Sequence, residues 1–300
     1  MRKYYQSLLV YMNLLCFIVV FSTVAIAANG SGTVSQCDQL AAHPNDPEKL
    51  VKGVGWDSLD VQSALKACSQ EIKRQPGNAR IQFQYARVLD KQKSYQRAFV
   101  YYEKAAQQGY AAAQNSLGLS YEWGQGVEIN VRKAADWYRK AAEQNFAQAQ
   151  NNLGTLYDIG KGVEEDEKKA IYWFKKAAEQ GYATAQRNLG VMYSSGNGIQ
   201  QNHERAFQWY LKAASQENPS AQYNVGISYY YGKGVSIDRK QAIAWIEKAA
   251  DNGNYEAEQA LHQLRFKQVY CNTLKSKAGI NAGYEKLSSE KFLTERECEG

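Results

Sequence analysis

Three hundred residues with 36 Lys and Arg against 30 Asp and Glu carry a formal charge of +6. That excess is too mild for a nucleic-acid partner, and no basic run with interleaved aromatics forms a phosphate-tracking stripe. Tyrosine is abundant (22) and proline scarce (4), which suits amphipathic helices and contact surfaces with polar edges. The three histidines, His43, His203 and His262, are scattered, so close metal-ligand spacing is missing and no metal or cofactor is expected.

At the N-terminus, Arg2 and Lys3 precede an almost wholly apolar stretch, Leu8 to Val24, and Ala25-Ile26-Ala27 fits a small-x-small cleavage pattern. Residues 1–27 therefore read as a Sec-type signal peptide, and the chain is expected in the periplasm or secreted. No basic stop-transfer cluster follows, so a retained signal would be its one route to a membrane. Cys16 follows Leu15 where a lipid-attachment site wants a small residue. Removing the signal leaves a charge of +4 and four cysteines, Cys37, Cys68, Cys271 and Cys298. An even number in an exported chain points to disulfides. Three pairings are possible; the cysteines lie two near each end, so local pairing of Cys37 with Cys68 and of Cys271 with Cys298 is expected. Residues 28–77 form a cysteine-bearing cap, with a helix over Leu59–Arg74.

Beyond the cap an internal period dominates. Leu117-Gly118, Leu153-Gly154, Leu189-Gly190 and Val225-Gly226 recur every 36 residues. So do Trp137, Trp173, Trp209 and Trp245, and Tyr121, Tyr157, Tyr193 and Tyr229. Within 145–180, Ala149, Leu153 and Tyr157 share one face of a first helix, Gly160-Lys161-Gly162-Val163 breaks it, and Ala170, Trp173, Phe174 and Ala177 form the apolar face of a second. The glycine inside each first helix costs about 1 kcal/mol against Ala, and its recurrence predicts close approach of a neighbouring helix. The units predicted are a short repeat at 78–108, full repeats at 109–144, 145–180, 181–216 and 217–252, and a closing helix and tail at 253–300. One helix pair cannot bury its apolar face, so the units must stack.

Ala-x-x-Ala-Gln-x-x-Leu-Gly-x-x-Tyr-x-x-Gly-x-Gly-Val followed by Lys-Ala-x-x-Trp-Tyr-x-Lys-Ala-Ala-Glu-Gln-Gly, seen nearly whole in 145–180, resembles the Sel1-like repeat, a relative of the tetratricopeptide repeat. Residues 78–108 look like a shorter unit of the tetratricopeptide type, with Tyr85-Ala86 standing where Leu-Gly stands later, and Cys37–Pro47 resembles the leader of some exported bacterial members. The resemblance implies an all-α chain, a right-handed α-solenoid of stacked antiparallel helix pairs. It also implies a concave groove lined by first helices. The position two before Leu carries Asn115, Asn151, Arg187 and Tyr223. The position after Gly carries Leu119, Thr155, Val191 and Ile227, and the groove edge ends in Tyr230 and Tyr231. Asn offers donor and acceptor to a peptide backbone, Arg a planar fork to a carboxylate, and the tyrosines an amphipathic anchor.

Catalytic chemistry is not expected. The Gly-x-Gly at 124–126, 160–162, 196–198 and 232–234 follows a helix and repeats, so it reads as a turn and not a nucleotide fingerprint. The four Trp read as core. Glu164-Glu165-Asp166-Glu167 begins a helix, where the dipole favours negative charge. Cysteine-rich relatives with assigned β-lactam hydrolysis carry a cysteine pair per repeat, whereas residues 69–270 here contain none. The expected function is a non-enzymatic exported scaffold that holds a protein or peptide. A host-directed secreted effector and a cell-wall or β-lactam hydrolase are the rivals.

Overall fold

The computed structural model describes residues 34–264. The signal segment at 1–27, the Cys271–Cys298 pairing and the tail lie outside the described residues. The described residues form helices joined by turns and loops, without strands, and divide into two compact units at Ala141 and Ala142. The helices are α1 (Gln36–Ala41), α2 (Val61–Arg74), α3 (Ala79–Lys91), α4 (Tyr95–Gln107), α5 (Ala111–Trp123), α6 (Val131–Glu143), α7 (Ala147–Asp158), α8 (Glu167–Glu179), α9 (Ala183–Ser195), α10 (His203–Ala214), α11 (Pro219–Tyr231) and α12 (Arg239–Asp251). A further helical run covers 255–264. Within each unit every helix packs on its neighbours in sequence, giving stacked helix pairs of the α-solenoid class.

Local chemistry sets the helix ends at the same places in each repeat. Asp166, Asn202 and Asp238 cap α8, α10 and α12 by accepting from the backbone N–H of Lys169, Arg205 and Gln241, each cap worth about 1 kcal/mol. Pro219, a departure from the repeat pattern, sits at the first turn of α11 behind the N-cap Asn218, where its missing N–H costs nothing.

The glycine inside each first helix lies under a ring of its partner. A Cβ on Gly118 would come within 2.5 Å of the Tyr138 ring, one on Gly154 within 2.8 Å of Phe174, and one on Gly190 within 2.6 Å of Tyr210. Ile246 takes that place over Gly226. The predicted close approach is thus a ring from the second helix of the same pair. The second glycine of Gly-x-Gly is more than a turn: Gly126 lies against the backbone of Tyr95 at the start of α4, and Gly234 against that of His203 at the start of α10.

The tryptophans differ from expectation. The fully buried residue is their neighbour, Tyr138 (0% exposed) or Phe174 (2%), while the tryptophans are half-buried. Trp209 packs on the α8–α9 core and Trp245 on the α10–α11 core. On the water side a lysine three residues on stacks over the indole, Lys140 over Trp137 at 3.8 Å and Lys212 over Trp209 at 4.1 Å. An indole in that position seals the seam between successive pairs and wears a cation outside.

In the first unit, Cys37 of α1 is bonded to Cys68 of α2, closing a separation of 31 residues and contributing roughly 3–4 kcal/mol on the chain-entropy estimate. Against this cap α3 is buried from Ile81 through Leu89. Asp38, wholly buried, pairs with Arg80 Nε at 3.0 Å and accepts from Gln84 Nε2 at 2.9 Å.

Two outcomes follow from this packing. Gly154→Ala should destabilise by about 1–3 kcal/mol in urea denaturation, reversing the usual helical preference for Ala, and Phe174→Leu in the same chain should recover part of the loss. His43 is held down at about 4 by burial and by the charges of Arg87 and Lys49. As pH falls below 6.5 the unfolded chain takes up a proton that the folded ring refuses until about 4. Stability should therefore drop across that window, by about 3 kcal/mol in full. Burial raises Asp46 and Asp90, so as pH falls their opposite contribution, a gain in stability, is made above the ordinary carboxylate value and partly offsets the loss from His43. Denaturation of wild type against His43→Asn between pH 7 and 4 isolates the histidine; equal slopes would contradict the assignment.

Candidate functional site

The face in question is positioned by a buried glutamine one residue ahead of it in each first helix. Gln186 Nε2 donates to the Ala178 carbonyl, eight residues earlier, at 3.1 Å. Its Oε1 accepts from Gln216 Nε2, thirty residues later, at 2.8 Å. Gln150 repeats this with Ala142 O (3.1 Å) and Gln180 (2.6 Å), and Gln222 with Ala214 O (3.5 Å) and Asn252 (2.9 Å). In the short unit Gln82 accepts from Gln108 at 2.7 Å. Each glutamine ties a first helix to the end of the helix before it and to the end of its own pair. Sequence reasoning missed these residues; their 36-residue recurrence was the available signal.

Gln82 also fixes the register of the short unit, so Phe83 corresponds to Asn115, Asn151, Arg187 and Tyr223, and Arg87 to Leu119, Thr155, Val191 and Ile227. At these two places the face is covered by the chain's own N-terminal segment. Arg87, 2% exposed, donates from Nη1 to the carbonyls of Ala41 (2.9 Å) and Ala42 (3.0 Å), and from Nη2 to that of Val54 (2.5 Å). Phe83 packs against the rings of His43, Tyr102 and Tyr110, at centroid distances of 6.1, 5.9 and 5.4 Å. Tyr110 gives its hydroxyl to Asp46 of the same segment. The guanidinium thus holds main-chain carbonyls at the end of α1 and in the turn-rich loop after it, beside an aromatic pocket.

The singled-out residues fall in both units. Asn115 belongs to the first and is buried. The others belong to the second. Asn151 is 6% exposed; its Oδ1 accepts from Asn188 Nδ2 at 3.0 Å, and its carbonyl from Thr155 Oγ1 at 3.1 Å. Arg187 Nη1 donates to Asn188 Oδ1 at 3.2 Å. Asn151, Thr155 and Arg187 are thus brought together, through Asn188, in one polar network. Val191 packs on the α10–α11 core, and Tyr223 on the cluster of Ile246, Ala249 and Ala257. Tyr230 and Tyr231 stand edge to face at 4.9 Å, with the Arg239 guanidinium 3.9 Å over Tyr230. Burial raises Tyr223. Tyr231 is 60% exposed and is the most open member of the set. Among the described residues no group of three His, Cys, Asp or Glu could hold a metal ion, and no helix is long and apolar enough to cross a membrane.

Gln186→Leu would leave the Ala178 carbonyl with the Gly181 N–H and the Gln216 amide with the Lys212 carbonyl at 3.5 Å, each one bond short. A loss of roughly 1–3 kcal/mol in chemical denaturation is expected, against less than about 0.5 kcal/mol for Thr184→Ala on the exposed side of the same helix.

Comparison with known proteins agrees with this architecture. A family profile described as the Sel1 repeat matches residues 89–110, 111–146, 147–182, 183–218 and 219–254, more than half of the chain. Among solved structures, a Sel1 repeat protein from Oxalobacter formigenes is 35% identical with a TM-score of 0.64, over 67% of this chain and 82% of that one. A protective antigen present in uropathogenic Escherichia coli strains, displaying an SLR fold, is 27% identical with a TM-score of 0.53, over 74% of this chain and 53% of that one. No curated protein matches. Sel1 repeat proteins generally mediate protein–protein interaction, and theirs is generally a non-enzymatic scaffold fold. With five matched repeats and helix pairs built on their register, the chain belongs to the Sel1 repeat family.

Proposed function

We propose that the chain is an exported, non-catalytic scaffold that holds an extended segment of another protein along the first helices of its repeats. The supporting observation is the first unit's own arrangement. There, the two positions that correspond to the proposed groove already grip a length of polypeptide through Arg87 and Phe83. The later repeats carry Asn151, Thr155, Arg187, Val191 and Tyr223 at those places, a mixture of hydrogen-bonding groups and half-buried apolar surface suited to a chain with both backbone and side chains to satisfy. Export is supported by the disulfide between Cys37 and Cys68, which fits an oxidising compartment, and by the signal-like residues 1–27.

A photo-crosslinking residue at Thr155, Val191 or Tyr223 in intact cells should trap the same partner from all three positions. The same residue at Lys175 or Lys212, on second helices, should trap none. Fractionation should find the protein outside the cytoplasm, and purified protein should not turn over a chromogenic β-lactam. Adducts arising equally from both sets of positions would refute the groove.

A further inference from the structure

Along the second unit the network around Asn151 is satisfied: Asn188 gives its amide to Asn151 and accepts from Arg187. Thirty-six residues later the same two register positions hold Arg187 and Asn224. The acceptor of the earlier pair, the Asn151 side chain, is replaced by a guanidinium, and the partner amide still presents its donor. Arg187 Nε and Asn224 Nδ2 are both buried and both lack a hydrogen-bond partner. By the register of the Asn151–Asn188 pair the two positions adjoin, and an unpaired donor on each is costly in a packed face.

The surroundings strengthen the same polarity. Where the two preceding repeats carry Glu122 and Asp158 on the first helix, this one carries Ser194. Burial raises the Tyr210 hydroxyl, and the Ser194 hydroxyl and the Arg187 guanidinium both pull it back. The guanidinium and two hydroxyls of the third full repeat, and the amide at the matching place in the fourth, therefore stand without the carboxylate that the earlier repeats hold. On the groove reading, we propose that Arg187 and Asn224 form the seat for an Asp or Glu side chain on the bound segment. A side chain is favoured over a chain end because the face runs on past this point, to Tyr223 and Ile227 on the C-terminal side and to Thr155 on the other. A passing chain presents side chains there, and Arg meets a carboxylate as a planar, bidentate fork.

The test uses the full chain and a phage-displayed random heptapeptide library. Peptides enriched on wild type should share an Asp or Glu. For a synthetic lead peptide, changing that residue to Asn or Gln should weaken binding at least tenfold. Arg187→Gln should do the same, with little added loss when both changes are combined. Affinity within twofold of wild type for Arg187→Gln, while Tyr223→Ala still weakens the peptide, would overturn the seat and leave the groove standing. Loss on amidating the peptide's C-terminus instead of its acidic side chain would also overturn it. No enriched peptide, or one indifferent to both Tyr223 and Arg187, would remove both readings together. Turning the Asn224 amide over would give Arg187 an internal acceptor, and Arg187→Met separates that case. Its melting temperature should be unchanged or higher if the donors await a ligand, and lower if they are satisfied within the fold.

Discussion

The distance between the two helices of a pair controls everything else in this chain. It is set where a glycine replaces a side chain and a ring from the partner helix lies on the bare backbone, as Phe174 lies on Gly154 and Tyr210 on Gly190. Once the pair is that close, small residues must line the remaining contact. The buried alanines at 134, 141, 149, 170, 177, 185, 206 and 213 are the result. The close pair also brings the second Gly of the following turn against the helix start of the pair before, and leaves the larger indole to close the outer seam. Packing of this kind is intolerant of added volume, which is why the same few residue types recur at fixed spacing.

The beginning of the array is treated differently. An interior pair is covered by the pairs on either side, but the first has no predecessor. The α1 segment and the loop after it take that role, with a disulfide, an ion pair between Asp38 and Arg80, and the bonds from Arg87 to three carbonyls. Buried charge is tolerated there because Asp38 is met by Arg80, Gln84 and Ser35 and Arg87 by three carbonyls.

Much of this was legible in the sequence because repetition multiplies a weak signal. Helix positions, turn glycines and the Cys37–Cys68 bond all followed from spacing. What was not legible has a common cause. Trp173 and Phe174 are adjacent on one helix, and helical periodicity cannot separate the centre of an interface from its rim; the Lys176 contact that marks the rim is itself three residues away. Gln186 looks like a solvated polar residue because its partners, Ala178 and Gln216, lie eight and thirty residues off. Arg187 could be placed on the face, but that its Nε is left without an acceptor, with a second unpaired donor at Asn224 a repeat further on, is not readable from spacing.

The glutamine links carry an implication for how such a chain can change over time. Each one joins a carbonyl eight residues back to an amide thirty residues ahead, so three successive helix ends are measured against a single side chain. Inserting or deleting one residue between Ala178 and Gln186, or between Gln186 and Gln216, would break the reach it falls within and leave a buried amide one bond short. Duplicating or removing a whole 36-residue module breaks neither. The short unit, with its link from Gln82 to Gln108 across twenty-six residues, shows the other permitted change, a four-residue reduction taken out of the turn. The links therefore favour changes in length that leave both reaches intact, a whole module or a turn.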